Sequence, residues 1–426
     1  MSKKDGEQRL HKYAQESYPK QIYQINDRIR CYVGYGHSNC IAIEGESSLI
    51  LIDTLDSDVR AARVRDELAA VTDKPVKTII FTHGHPDHRG GAGAFADTVE
   101  EVIAFAPKRP VLKHMDRLSD MLQARTERQF GYHLTEEELI TQGLGIREGR
   151  LCGEGKYSFL KPTTVYTGDE VERIIDGVRL KMVSAVGETD DQIFVWLPDD
   201  DVLCCGDNYY ACWPNLYAIR GSQYRDVAAW VDSLEAIMAY PARVLLPGHT
   251  TPLFGHERIA EVLGNYRGAI EYVLLKTLDC MNQGMSESQT VQAVRLPQKY
   301  QDQPYLGEYY GTVEWSVRAI YSGYTGWFDG NPSNLHRLPD ETYARHLTAL
   351  AGAGNLLQAA RQALEDGDYQ LAIQDADLLL LSGELQDVQQ EEARAVKARG
   401  LMKLASMATS ANARHYYMEW VKEHKV

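Results

Sequence analysis

The first 260 residues carry short apolar runs separated by polar turns. Alternating or continuous apolar runs predict strands at 30–33, 40–44, 48–53, 78–82 and 102–104. Later runs predict strands at 179–183, 193–197, 202–205 and 243–246. Between them, apolar residues at helical spacing predict helices over 58–70 and 224–239. Strands interleaved with helices in this way imply sheets covered by helices, an α+β arrangement.

From about residue 256 the period changes to that of helices. Residues 258–279 read as one long amphipathic helix, and 286–294 as a shorter one opened by Ser286 with Gln289 three residues on. An aromatic and glycine-rich stretch spans 305–332, and 340–426 reads as helical throughout. Leu364 to Ala372, interrupted at Gly367, has the form of a turn between two antiparallel helices. The expected division is an N-terminal extension (1–20), a mixed domain (21–257) and a helical domain (258–426).

Composition narrows the field of partners. The net charge of −15 argues against nucleic acid and anionic membranes, which need clustered Lys and Arg. A local Arg can still receive a small anionic substrate. No apolar run reaches the length of a membrane span, and the N-terminus has no apolar leader segment. The seven cysteines are odd in number and scattered, as expected of reduced thiols in the cytoplasm.

The chemistry concentrates in His83-Gly84-His85-Pro86-Asp87-His88, directly after the apolar run ending at Phe81. Three imidazoles and a carboxylate within six residues can serve two adjacent metal ions. His83 and His85 are expected at one metal, and Asp87 and His88 at a second. Further ligands must come from other strand ends. Three turns qualify: Gly187-Glu188-Thr189-Asp190-Asp191, Gly206-Asp207-Asn208 and Pro247-Gly248-His249-Thr250. Taken alone, the acidic turn at Glu188 could equally be a solvated surface turn. Asp207 could bridge two cations.

These motifs, in this order, resemble the metallo-β-lactamase superfamily, whose fold is an αββα sandwich. Residues 35–57, 215–230 and 310–332 are similar to the alkyl sulfatase group within it. The resemblance implies a catalytic domain followed by a helical dimerisation domain, and hence a homodimer. It implies a metal set of His83, His85, Asp87, His88, Glu188, Asp207 and His249. Glu188 then stands where other members use histidine, and Asp53 supports the ligands from behind. Two Zn²⁺ ions are expected, and the carboxylate-rich set also suits Mn or Fe. Arg220 is expected to hold the sulfate, with Asn215 as a further donor. The implied reaction is hydrolysis of a sulfate monoester of an aliphatic alcohol by a metal-activated water.

Three positions depart from the group. The acidic turn reads GETDD, so Asp190 or Asp191 could replace Glu188. The bridging carboxylate is Asp207 where the group tends to have Glu. The segment before Asn215 lacks histidine, which leaves Tyr209 or Tyr210 to protonate the leaving group. The sterol-carrier-like domain of many alkyl sulfatases does not follow the helical one here, which implies a smaller or more polar ester. Acyl hydrolysis of a lactone, thioester or β-lactam stays open on the same site. A vestigial site in a binding protein, or redox chemistry at a di-iron version, are the further alternatives.

Overall fold

The computed structural model describes residues 6–383 and 385–425; residues 1–5, at the head of the expected extension, lie outside them, as do 384 and 426. Thirteen strands form two sheets among the described residues. The first contains β1 (Gln21–Gln24), β2 (Ile29–Val33), β3 (Cys40–Glu44), β4 (Leu49–Ile52), β5 (Val76–Ile80), β6 (Glu101–Phe105) and β7 (Thr164–Tyr166), in sequence order. Its first four strands pair antiparallel; β4 to β7 pair parallel. The second sheet runs β13-β12-β11-β10-β9-β8, from β8 (Glu170–Ile175), β9 (Val178–Ser184), β10 (Ile193–Leu197), β11 (Val202–Gly206), β12 (Val244–Pro247) and β13 (Leu253–Phe254). Only β11 and β12 pair parallel there.

Burial explains the sandwich. In β4, β10 and β11 every residue is buried, so both faces of these strands are covered. One face of the first sheet packs through Leu49, Leu51 and Ile79 against Val64 and Leu68 of the helix Asp58–Ala69. One face of the second packs through Phe194, Leu203 and Leu245 against Trp230 and Leu234 of the helix Val227–Met238. The remaining inward residues, such as Cys31, Ile50, Val195 and Cys204, are also fully enclosed. Helix, two sheets and helix make an αββα sandwich.

The chain forms two compact units that differ from the division expected at 257/258. One holds residues 12–119 and 141–324; the other holds residues up to 11, 120–140 and 325 onward. The helix His256–Asn282, expected to open the helical domain, lies with the sheets. Its Ile259, Val262, Leu263 and Tyr266 join the core of the second sheet, as do Val317 and Ile320 of the helix Val313–Thr325. Amphipathic spacing identifies a buried face, but not the core that buries it.

The other unit is helical. Its helices Ala353–Asp366 and Tyr369–Ser382 form the expected hairpin, turned by Gly367 at φ +88°. The segment 120–140 joins them from mid-sequence: Leu134 and Leu139 pack with Ala405 and Met418. The buried His415 Nδ1 lies 2.9 Å from Gln129 O.

Candidate metal centre

The site gathers at strand ends of both sheets. Asp53 follows β4, His83 and His85 follow β5, and Asp87 and His88 lie in the short helix Pro86–Arg89 capped by His85. Glu188 follows β9, Asp207 follows β11 and His249 follows β12. A backbone bond from Ile193 N to Thr82 O, 2.9 Å, ties β10 to the His83 turn. Gly206 adopts φ +51° and leaves room for Thr82: a Cβ there would lie 3.0 Å from Thr82 Cβ.

All seven ligand candidates converge. His83 Nε2 is 2.9 Å from His85 Nδ1, and His85 Nδ1 is 3.4 Å from Glu188 Oε2. On the other side, Asp87 Oδ2 lies 3.4 Å from both His88 Nε2 and His249 Nε2. Asp207 Oδ2 stands between the two groups, 3.6 Å from His83, 3.4 Å from His88 and 3.3 Å from His249. Three sets have ligand atoms within 4.8 Å of one another: His83, His88 and Asp207; Asp87, His88 and His249; His85, Glu188 and Asp207.

The charge state suits cations. Burial opposes ionisation of Asp207, yet His249, His88 and His83 hold its carboxyl well below the usual range. Asp87, equally buried, is held well below by His88 and His249. Burial likewise opposes charging of His88, but Asp207, Asp87 and Asp53 raise its pKa well above the usual imidazole value. His85 goes the other way: burial lowers it, and His83, Arg220 and Arg225 add to that. Asp207 Oδ1 is buried without a hydrogen-bond partner among the described residues. A buried carboxylate oxygen facing imidazole nitrogens is costly unless a cation completes it. The donor set of imidazoles and carboxylates fits a divalent metal.

Ligand orientation is fixed from behind. His88 Nδ1 lies 2.7 Å from Asp53 Oδ2, so Nε2 is the nitrogen presented to the cluster. Asp53 also accepts bonds from Thr82 N (2.8 Å) and Thr82 Oγ1 (2.7 Å), and its backbone sits at φ +58°. Such left-handed backbone is uncommon outside glycine and persists where surrounding contacts impose it. His249 Nδ1 donates to His37 O at 2.9 Å, which presents Nε2 in the same way. Gly248 has no room for a side chain: a Cβ would lie 2.3 Å from Asp207 Oδ1 and 2.9 Å from His88 Cε1.

The acidic turn resolves around Glu188. Asp190 pairs with Arg109 at 2.7 Å, and Asp191 sits beside Gly84; neither belongs to the three metal-competent sets. Two partners of Glu188 escaped sequence reasoning. Tyr210 Oη donates to Glu188 Oε1 at 2.7 Å, and Arg225 Nη1 lies 3.1 Å from Glu188 Oε2. Nothing in the local sequence sets Arg225 apart from Arg220, or Tyr210 from Tyr209.

Tyr209 is placed away from the cluster. It is buried in the apolar core of the second sheet, its ring 5.0 Å from that of Tyr266. The loop after β11 turns Tyr210 to Glu188 and its neighbour into the core. Burial raises the Tyr209 hydroxyl far above its ordinary pKa, which makes it a weak acid.

Asn215 is buried beside Glu188's partners. Its N–H donates to Tyr210 Oη at 2.8 Å and its carbonyl accepts from Arg225 Nη1. Its Nδ2 has no hydrogen-bond partner among the described residues, nor has Arg225 Nε. Arg220 lies within electrostatic range of His85, Glu148 and Tyr310. A cavity of about 390 Å³ opens onto His85, Glu188 and Arg225, with Arg109 and Gln223 on its wall.

Comparison with known proteins accords with this geometry. Residues 33–249 match the metallo-β-lactamase superfamily. The chain belongs to that superfamily. Residues 286–425 match the alkyl sulfatase dimerisation family, and together with the primary-alkylsulfatase relative that follows this places the chain among the alkylsulfatases of the superfamily. A linear primary-alkylsulfatase of Pseudomonas sp. is 35% identical over 388 residues, covering 88% of this chain and 72% of that one. A solved structure of the stereoselective inverting sec-alkylsulfatase Pisa1 from Pseudomonas sp. superposes with TM-score 0.84 at 25% identity, covering 97% of this chain and 66% of that one. The 2,4-dinitroanisole O-demethylase subunit alpha of Nocardioides sp. is 40% identical over 220 residues, 49% of this chain and 51% of that one. No described helix is long and apolar enough to cross a membrane.

Proposed function

We propose that this member of the alkylsulfatases hydrolyses the sulfate monoester of an aliphatic alcohol at a dinuclear zinc centre. The observation that carries the reading is Asp207, whose Oδ2 stands within 3.6 Å of three imidazoles drawn from both ligand groups while its Oδ1 is buried and has no hydrogen-bond partner among the described residues. His83, His85 and Glu188 would hold one ion, Asp87, His88 and His249 the other, with Asp207 shared. Bound divalent ions lower the pKa of a water toward neutrality and offset developing negative charge.

The chain's own groups account for the rest. Asp53 and the His37 carbonyl keep His88 and His249 in the tautomer that presents Nε2. Asn215 Nδ2 and Arg225 Nε are buried donors without partners, and with Arg220 they supply donors for a sulfate's oxygens. The relative Pisa1 is described as inverting, which favours attack at the ester carbon. The C–O bond then breaks, water's oxygen stays with the alcohol, and sulfate leaves as a stable anion. Such a leaving group needs no proton, in keeping with the position of Tyr209 inside the core. The products are the alcohol, sulfate and a proton.

The likeness to the O-demethylase subunit supports a second reading: cleavage of a methyl aryl ether, whose phenolate also leaves as an anion. A panel of short primary and secondary alkyl sulfates, a lactone, a thioester and 2,4-dinitroanisole separates these chemistries. In ¹⁸O-water the first reading expects inorganic sulfate free of label and labelled alcohol. Turnover of the ether with no sulfate release from any ester establishes the second. We also propose that the alkyl sulfatase dimerisation segment pairs two copies, so light scattering should give about twice 48.0 kDa.

A further inference from the structure

The two halves of the metal cluster have supports of opposite charge. Behind His88 stands the carboxylate of Asp53, 2.7 Å from Nδ1. A carboxylate there makes the imidazole a stronger ligand. Behind Glu188 stands a guanidinium. Arg225 Nη1 lies 3.1 Å from Glu188 Oε2, and both side chains are 3% exposed. Oε2 is also the oxygen 3.4 Å from His85 Nδ1, so it is the one turned to the cluster.

The guanidinium is held there by design of the loop. Its Nη1 donates to the Asn215 carbonyl, while the Asn215 N–H donates to Tyr210 Oη, and Tyr210 Oη donates to Glu188 Oε1. Both oxygens of Glu188 are thereby engaged by one short stretch of chain. Arg220 adds a second positive charge within range of His85. The His85–Glu188 side of this half-site therefore faces two guanidiniums, while His83 stays within range of the carboxylates of Asp53 and Asp191. The half-site of Asp87, His88 and His249 is backed by Asp53.

We propose that Arg225 is a positioning residue that makes the two metal sites unequal: the Asp87–His88–His249 site fills first and tightly, and the His83–His85–Glu188 site fills second and weakly. The proposal rests on the dinuclear reading above. Arginine stays charged at all working pH, so its field is permanent. It competes for the lone pairs of Oε2 and repels the incoming cation, whereas a neutral donor such as Tyr210 only orients the carboxylate. Holding Glu188 in place with a cation fixes the ligand's geometry at a cost in affinity.

The test is competition of the metal-stripped full-length protein with a chromophoric chelator for Zn²⁺. The wild type should take up two equivalents in two steps, the second weaker by about tenfold or more, the range in which partners of metal ligands act. His85→Ala should remove the weak step and leave the tight one. Arg225→Gln should tighten the second step by about tenfold or more and leave the first unchanged, while Arg225→Lys keeps the wild-type pattern. Should Arg225→Gln lose its fold by circular dichroism, Arg225→Met carries the same expectation. Two equally tight equivalents in the wild type, or an unchanged or weaker second step in Arg225→Gln, overturn the proposal alone. No zinc uptake by the wild type overturns the dinuclear reading instead.

Discussion

Asp53 shows how a residue outside the ligand set can govern it. It receives His88 Nδ1, Thr82 N and Thr82 Oγ1 at once, from a left-handed backbone. Asp53→Asn keeps the shape but removes the charge that strengthens His88. We expect a loss of about 10- to 100-fold in zinc affinity with the fold retained. Chelator competition and circular dichroism on the same sample check both halves of that expectation. At this scale the sequence is most legible where ligands are neighbours in the chain: His83, His85, Asp87 and His88 fall within six residues. It is least legible for Arg225, whose partner Glu188 lies 37 residues away in a contact made only by folding. The tandem Tyr209-Tyr210 shows the same limit. Which of the two faces the site depends on how the loop after β11 turns into the core, a matter of tertiary contacts.

At the scale of elements, the loop around residues 141–149 packs onto the site without contributing a ligand. A Cβ on Gly145 would lie 1.9 Å from His37 O, the carbonyl that orients His249. Gly145→Ala must therefore displace either the loop or His37. We expect a stability loss of about 1–3 kcal/mol, as for overpacked sites, together with weaker zinc binding. Thermal melts and chelator competition measure the two effects separately; a stability loss with zinc affinity unchanged would show that His37 O does not orient His249. Strands with two buried faces, such as β4, β10 and β11, were readable as continuous apolar runs. The helix Gly6–Ser17 was not, because its stretch of sequence is polar overall and reads as an extension. The helix His256–Asn282 is legible as a helix, but the core that buries it is not, since its amphipathic face fits any apolar partner.

One buried acid should add its own contribution to the pH dependence of the whole molecule's stability. Burial raises the Glu148 carboxyl to about 8 and the nearby charges of Asp56 and Asp87 raise it further, against the hydrogen bond from Tyr157, the charge of Arg220 and the Arg150 guanidinium 2.7 Å away. A carboxyl with a folded pKa above its unfolded one stabilises the fold fully only at pH below the ordinary carboxylate range. That contribution is lost as pH rises to about 8, the folded value. Wild type should therefore lose melting temperature relative to Glu148→Gln across this window, and the gap should level off above it. Parallel melts of the two proteins decide the matter; curves that stay a constant distance apart would refute it.

The central claim is that a cluster built around Asp207 cuts a sulfate ester. Its most direct test is inorganic sulfate released from a short secondary alkyl sulfate by metal-stripped protein reloaded with two equivalents of Zn²⁺, beside Asp87→Ala treated alike. The account predicts sulfate from the wild type, none without metal, and none from Asp87→Ala, which should also lose the tightly held equivalent. Sulfate release at the full rate from Asp87→Ala or from the metal-free wild type would contradict it.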